Sequence, residues 1–102
     1  MEEKFIVKIH ETYRGVVAIC DLNLKGKIIE EGDKQLDVST NFFEGNSVKE
    51  EELREIMIKA NNDDATFYIV GNDSVNVAKS VGIVGDEGVL KVGNVSFALV
   101  LL

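Results

Sequence analysis

The chain has 102 residues, of which 45% are hydrophobic and 28% are charged. This composition excludes wholesale disorder, and the length allows one hydrophobic core but not two, so we expect a single domain over residues 1–102. With 18 acidic and 11 basic side chains the net charge is −7, and no basic cluster is present, which excludes a protein that binds duplex DNA by neutralising its phosphates.

The N-terminal residues predict a β-hairpin. Residues 5–9 alternate in polarity, with the period of a strand that has one better-buried face, and residues 16–20 are rich in β-branched side chains. Between them Gly15 is suited to the left-handed conformation that closes a three-residue loop. In that register Thr12 pairs with Val16. A two-residue loop is the alternative.

The clearest local signal in the chain is a helix that follows residue 46. Ser47 and Glu50 have the spacing of a capping box, in which the serine side chain caps the helix and the glutamate reaches back. Residues 50–52 are all glutamates, which the helix dipole favours in a first turn. One apolar stripe recurs at helical spacing: Leu53, Ile56, Met57 and Ala60. We predict a helix that is capped by Ser47 and ends at residues 61–62.

Residues 65–70 are apolar on both faces, which predicts a strand in the centre of a sheet. A short helix, roughly residues 74–81, follows with Asp73 as its N-cap and Gly82 as the residue that ends it. The other strands and turns predicted are residues 27–29, 35–39, 89–92 and 95–102, with turns at Gly32-Asp33 and Gly93-Asn94.

Together these elements predict an α+β fold: an antiparallel or mixed sheet of six to seven short strands with two helices mainly on one face. Residues 99–102 are all apolar, which either a central strand or burial against a second subunit would explain. No apolar stretch approaches the length of a membrane-spanning helix, and no signal segment leads into the first strand. We therefore expect a cytoplasmic protein that does not enter a membrane.

Several of these motifs resemble those of a known family. They are Ala18-Ile19-Cys20-Asp21 with Gly26-Lys27, Phe42-Phe43-Glu44-Gly45 leading into residues 47–53, Gly71 with Gly82-Ile83, and Lys91-Val92-Gly93 with Val95. Over nearly its full length the chain is similar to the archaeal domain-of-unknown-function family 424. The resemblance implies an archaeal cytoplasmic setting and brings no established activity. The family often has a proline-histidine pair where this chain has Ser96 and Phe97.

Cys20 and His10 are the only cysteine and the only histidine. One cysteine excludes an internal disulfide, and one histidine cannot complete a zinc site. With a three-residue hairpin loop His10 faces Ala18 and Cys20 faces Lys8; with a two-residue loop the two side chains lie on opposite faces. Nothing in either register activates the thiol, so Cys20 is predicted to be a buried hydrophobic residue. We expect no catalytic residue, no metal and no cofactor.

The turn Gly71-Asn72-Asp73-Ser74 is a weak candidate for an anion site. A strand that ends in a glycine turn and opens a helix presents free amides and the positive end of the helix dipole. The turn lacks the glycine pattern of a dinucleotide fingerprint and the lysine of a P-loop. Because the carboxylate of Asp73 would occupy the place of a phosphate, plain helix capping is the favoured interpretation, and anion binding at Gly71, Asn72 and Asp73 is the alternative.

Phe42 and Phe43 stand in a predicted loop, where exposed aromatic side chains can mark a contact surface. Either both rings anchor the loop on the core, or one is exposed and stacks on single-stranded RNA, with Lys25 and Lys27 nearby in the sequence.

Two functions are consistent with these features. The first is a non-catalytic binding or adaptor module whose partner is another protein, a second copy of the chain included. The second is an RNA- or ribosome-associated accessory factor in translation. A small enzyme is the least supported, because the sequence contains no pairing of a nucleophile with a base and no metal-binding pattern.

Overall fold

The structure is a computed structural model that describes residues 2–11 and 15–101. Within these residues it contains two helices and eight strands, joined by three single 3-10 turns. The strands are β1 Phe5–His10, β2 Val16–Asp21, β3 Ile28–Glu31, β4 Lys34–Asp37, β5 Asn46–Val48, β6 Thr66–Val70, β7 Leu90–Val92 and β8 Val95–Val100. The helices are α1 Glu50–Asn62 and α2 Asn72–Ser80, and the 3-10 turns are Leu22–Leu24, Asn41–Phe43 and Asp86–Gly88.

Six strands form one sheet in the order β5-β1-β2-β6-β8-β7, and β3 and β4 form a separate two-stranded sheet. Strands β2 and β6 are parallel, whereas the other pairs are antiparallel, so the main sheet is mixed. The predicted α+β class is confirmed, and β6 has the predicted central position. The β3–β4 hairpin pairs only with itself and packs against the sheet instead of extending it.

The sheet is covered on both faces. Helices α1 and α2 pack on one face, where Leu53 and Met57 of α1 join a core cluster with Phe67 and Ile69 of β6. The β3–β4 hairpin, the residue after it and the second 3-10 turn pack on the other face: Leu36, Val38 and Phe43 join a cluster with Ile6, Cys20 and Val70. Both helices therefore lie on one face, as the sequence predicts.

The predicted capping box at Ser47 is wrong. Helix α1 begins at Glu50 with Lys49 in the N-cap position, and Ser47 belongs to β5, where its hydroxyl donates to the Glu3 carboxylate at 2.8 Å. The reason is Val48, which is buried opposite Phe5 of β1. Burial of this side chain requires an extended backbone at the residues that a capping box would bend into the helix.

The predicted register of the first hairpin is also wrong, although the hairpin itself is confirmed. Val16 pairs with His10 and not with Thr12, so more than three residues join β1 to β2; residues 12–14 of this loop lie outside the described part of the chain. Gly15 has the predicted left-handed backbone, with φ of +75°. The shift by two residues leaves each side chain on its predicted face, but Cys20 now lies opposite Ile6.

Two local predictions near the C-terminus are confirmed. Gly82 has φ of +82°, and the amides of Gly82 and Ile83 donate to the carbonyls of Lys79 and Ala78, at 3.1 and 3.0 Å. This is the pattern of a Schellman motif. Gly93-Asn94 forms the two-residue turn between β7 and β8.

The two outer strands of the sheet are only half as long as the strands beside them. Strand β5 pairs with residues 5–7 of β1, and β7 pairs with residues 95–97 of β8. In the described chain no outer strand therefore pairs with residues 8–10 or 98–100. The register aligns these two segments across the sheet, so both unpaired half-strands lie at the same end, which we call the open end.

Candidate functional site

The three side chains most able to form a reactive site do not come together. Cys20 is fully buried on the face that the β3–β4 hairpin covers. His10 lies at the end of β1, where its ring stacks on Phe42 with centroids 4.5 Å apart and its Nε2 lies 3.0 Å from the Phe42 carbonyl oxygen. Asp21 contacts the start of α2 instead. Neither His10 nor Asp21 forms a hydrogen bond with the thiol in the described part of the chain.

Burial raises the pKa of the Cys20 thiol to about 12, and the neighbouring Asp21 carboxylate adds to the rise. A thiol in this state is a poor nucleophile at neutral pH. We expect iodoacetamide at pH 8 to label native Cys20 at least roughly a hundredfold more slowly than Cys20 in urea, because labelling requires an opening of the core. Mass spectrometry of timed samples measures this ratio, and a native rate near that of the unfolded chain would contradict the burial of the thiol.

The predicted N-cap of α2 is wrong, because the acceptor comes from β2 and not from Asp73. The Asp21 carboxylate accepts from the Ser74 amide at 2.8 Å, from the Ser74 hydroxyl at 2.6 Å and from the Asp73 amide at 3.2 Å. Helix α2 begins at Asn72, with Gly71 in the N-cap position. The carboxylate of Asp21 therefore fills the place at the helix start where an anion would bind, and an external anion would have to displace it.

Gly71 and Asn72 hold the start of α2 against the last hairpin. The Asn72 side chain accepts from the Ser96 amide at 2.8 Å and donates to the Asn94 carbonyl at 3.1 Å. The Gly71 amide donates to the Ser96 carbonyl at 2.8 Å. The polar groups of this candidate turn thus join α2 to β2 and β8, which is a structural role; Asp73 itself is exposed.

The two phenylalanines of the second 3-10 turn differ in exposure. Phe43 is 3% exposed, whereas Phe42 is partly buried. Both rings meet Tyr68 edge-on, each with centroids 5.6 Å apart. Together with the stack on His10, these contacts make the turn an aromatic cover over the sheet. The candidate basic residues Lys25 and Lys27 are exposed before β3.

A contiguous apolar surface remains beside this aromatic cover. Leu90 pairs across the strands with Phe97, and Leu99 pairs with Tyr68, so these four side chains lie on one face of three adjacent strands. Leu90 is 58% exposed and Leu99 is 52% exposed. We call Tyr68, Leu90, Phe97 and Leu99 the apolar strip. The sequence drew attention to the apolar tail but not to Leu90, which is the first residue of the outer strand β7.

The backbone of Leu99 faces no paired strand on its outer side, although the 3-10 turn Asp86–Gly88 contacts β8. In a two-residue hairpin the backbone N–H and C=O of Val95 bond to the paired strand, here β7. Because these groups alternate in direction along a strand, the N–H and C=O of Phe97 and Leu99 face the same side as those of Val95. The N–H and C=O of Ser96 face the other side, since they bond to Asn72 and Gly71 at the start of α2. Because β7 begins at Leu90, opposite Phe97, the described chain places no strand against the outward N–H and C=O of Leu99.

Metal and membrane sites find no support among the residues described. No three His, Cys, Asp or Glu side chains of residues 2–11 and 15–101 come close enough to hold a metal ion. Neither described helix is long and apolar enough to cross a membrane.

The comparisons with known proteins agree with the fold. A crystal structure of an uncharacterized conserved protein from Methanopyrus kandleri superposes with a TM-score of 0.80 at 20% sequence identity, over 96% of this chain and 92% of that one. At this identity the similarity shows the fold alone. No curated protein matches the chain. The family model for a protein of unknown function, DUF424, matches residues 10–102, and the chain belongs to this family.

Proposed function

We propose that the chain is a non-catalytic binding module of the archaeal cytoplasm that docks a protein surface on the apolar strip. The carrying observation is the exposure of Leu90 and Leu99 beside Phe97 and Tyr68 on one sheet face. Full burial of a leucine side chain is worth about 2 kcal/mol. Covering the exposed halves of two leucines therefore supplies about 2 kcal/mol in total before any hydrogen bond is counted.

A second copy of the chain is the occupant that this surface favours. Two β8 strands can pair antiparallel across a twofold axis. The N–H of Leu99 in each copy then donates to a backbone C=O of the other copy, and its C=O accepts from a backbone N–H there. Such a contact also places the two apolar strips side by side. The strip contains no ionisable group other than the Tyr68 phenol, so contact there brings together little of the net charge of −7.

The RNA-associated alternative has weaker support from this surface. It requires exposed aromatic rings for base stacking, whereas Phe43 is buried and Phe42 already stacks on His10. Lys25 and Lys27 are exposed, but two lysines provide little of the phosphate contact that such binding needs.

Sedimentation velocity over a series of concentrations tests the proposal. We expect the wild-type chain to show a reversible monomer–dimer equilibrium with a Kd of about 10 to 100 μM, since the contact is small. Leu99→Lys should weaken it at least about tenfold, because a charge would be buried in the contact. Ile58→Lys is the matched control: Ile58 is 50% exposed on α1, away from the strip, and its replacement should leave the equilibrium unchanged.

Two outcomes would overturn the proposal. One is a wild-type chain that stays monomeric up to about 1 mM. The other is a Leu99→Lys variant that dimerises as the wild type does, which would place the contact on another surface.

A further inference from the structure

At the opposite edge of the open end, the outward N–H and C=O of Ile9 have no paired strand, although the 3-10 turn Asn41–Phe43 contacts β1. The Leu22 amide donates to the Lys4 carbonyl at 2.7 Å, which places the even-numbered residues of β1 in hydrogen-bonded pairs with β2. The odd-numbered residues therefore direct N–H and C=O towards the outer edge. Strand β5 ends at Asn46, opposite Val7, so along the described chain no strand reaches Ile9.

The side chain of Ile9 is also unusually open. The sequence places it on the buried face of β1, yet it is 56% exposed. Strand β5 stops before this residue. On the α1 side, Ile9 and the partly buried Ile56 line the same groove, which leaves both side chains partly uncovered. The backbone N–H and C=O of Ile9 and its apolar side chain are thus both uncovered at the same edge.

A groove of about 350 Å³ runs along this edge between β1 and α1. Its apolar lining comes from Ile9, Val48 and Ile56, and its acidic lining from Glu44 and Glu52. Gly45 forms part of the wall, packed so closely on β1 that a side chain there would overlap the Val7 carbonyl.

The charges in the groove specify the kind of segment that fits. Lys8 is the one cation among the residues that line it, against the two glutamates. Nearby residues of α1 add Glu51 and Glu55 and one further cation, Lys59, which lines an adjoining cavity with Ile9 and Ile56. The balance around the groove is therefore acidic, within a chain of net charge −7. An approaching basic segment is attracted, whereas an acidic one is repelled.

We propose that this groove binds an extended, basic peptide segment by adding it as a strand to the edge of β1 at Ile9. The segment's backbone bonds to the N–H and C=O of Ile9, as in other cases of strand addition. Because side chains alternate along a strand, one set of its side chains packs on Ile9 and Ile56 on the α1 face, beside Glu52, and the other set lies on the opposite face. The basic charge of the segment is attracted by Glu44 and Glu52, which line the groove. This site is separate from the apolar strip and does not depend on dimer formation.

Fluorescence anisotropy with two labelled peptides tests the proposal: Lys-Val-Lys-Val-Lys-Val-Lys, and the same sequence with Glu in place of Lys. The measurement uses the Leu99→Lys variant as well as the wild type, so that a failure of the dimer and a failure of the groove remain distinguishable. We expect the lysine peptide to bind both proteins, and the glutamate peptide to bind neither.

Ile9→Pro separates strand addition from simple charge attraction. Proline removes the outward N–H but no bond to β2, a position where an edge strand tolerates it. Loss of this hydrogen bond and of the fit of the backbone should weaken binding at least about fivefold, whereas the control Ile9→Val should bind as the wild type does. Far-UV circular dichroism verifies that the proline variant is folded.

The glutamates provide a second, independent set of variants. Glu44→Gln and Glu52→Gln should each weaken binding of the lysine peptide about two- to fivefold, as expected for partly solvated charge pairs. Glu51→Gln, on the same helix but outside the groove lining, should have a smaller effect. Equal binding of the two peptides, no binding of the lysine peptide at about 1 mM, or unchanged binding by Ile9→Pro would overturn the proposal.

Discussion

Gly71→Ala is expected to lower the free energy of unfolding by about 3 kcal/mol or more. Two costs add at this residue. Its φ of +120° belongs to a backbone region that only glycine occupies without strain, and a Cβ here would overlap the carboxylate of Asp21. That carboxylate cannot simply rotate away, because three hydrogen bonds from Asp73 and Ser74 hold it. Urea unfolding followed by far-UV circular dichroism measures the change.

A double-mutant cycle with Asp21→Ala separates the two costs. Asp21→Ala alone should cost about 2 to 3 kcal/mol, because it leaves the buried hydroxyl and amide of Ser74 without their acceptor. In that background Gly71→Ala should cost mainly its backbone strain, about 1 to 2 kcal/mol, since the carboxylate that the Cβ would overlap is gone. The coupling free energy should therefore be about 1 to 2 kcal/mol.

Gly85→Ala is the control for this series. Gly85 has a negative φ of −100°, and a Cβ there would meet only the end of the exposed Glu87 side chain. Its replacement should change stability by less than about 0.5 kcal/mol. Purely additive losses for Gly71→Ala and Asp21→Ala would contradict the close approach of the carboxylate to Gly71.

The features that the sequence predicts correctly are those that neighbouring residues decide. The Schellman motif at Gly82 needs only a residue able to adopt φ > 0 and an apolar residue after it, and the turn at Gly93 needs only two residues. The apolar stripe of α1 likewise has a period that is visible in one short segment. Local sequence patterns therefore predict which helices and turns form, but not how these elements pack against one another.

The features that sequence reasoning missed depend on residues far apart in the chain. Helix α2 takes its capping carboxylate from Asp21, 53 residues before Ser74, although Asp73 is the local choice. Ser47 is a good N-cap by composition, yet it lies in β5 because burial of Val48 against Phe5 stabilises the extended form. In both cases tertiary contacts outweigh a local preference of about 1 kcal/mol.

The candidate surfaces were the hardest part to predict, because they arise from strands that stop early. Strand β8 pairs with β6 over residues 97–100, yet β7 pairs with only residues 95–97, so the second half of β8 has a partner strand on one side alone. The exposure of Leu99 and Ile9 follows from these lengths and not from the residues themselves. A three-residue strand such as β5 has too short a pattern to be recognised in the sequence.

Gly45→Ala should destabilise the fold by about 3 kcal/mol or more, for a reason opposite to that at most glycines. Its backbone needs no left-handed conformation, but a Cβ there would overlap the Val7 carbonyl and crowd the Cα of Lys8. These are backbone atoms of β1, so no rotamer change can relieve the overlap. The alternative is for β5 to move away from β1, which would break the pairing that begins at Asn46.

Gly26→Ala provides the matched comparison, because it has the strain without the overlap. Gly26 has φ of +82°, and a Cβ there meets nothing within 4 Å, so the expected cost is about 1 kcal/mol. Urea unfolding ranks the two variants, and hydrogen exchange should show faster exchange at Asn46 in Gly45→Ala but not in Gly26→Ala. If Gly45→Ala is no less stable than Gly26→Ala, then β5 does not lie this close to β1, and the groove that Gly45 helps to form at Ile9 loses its wall.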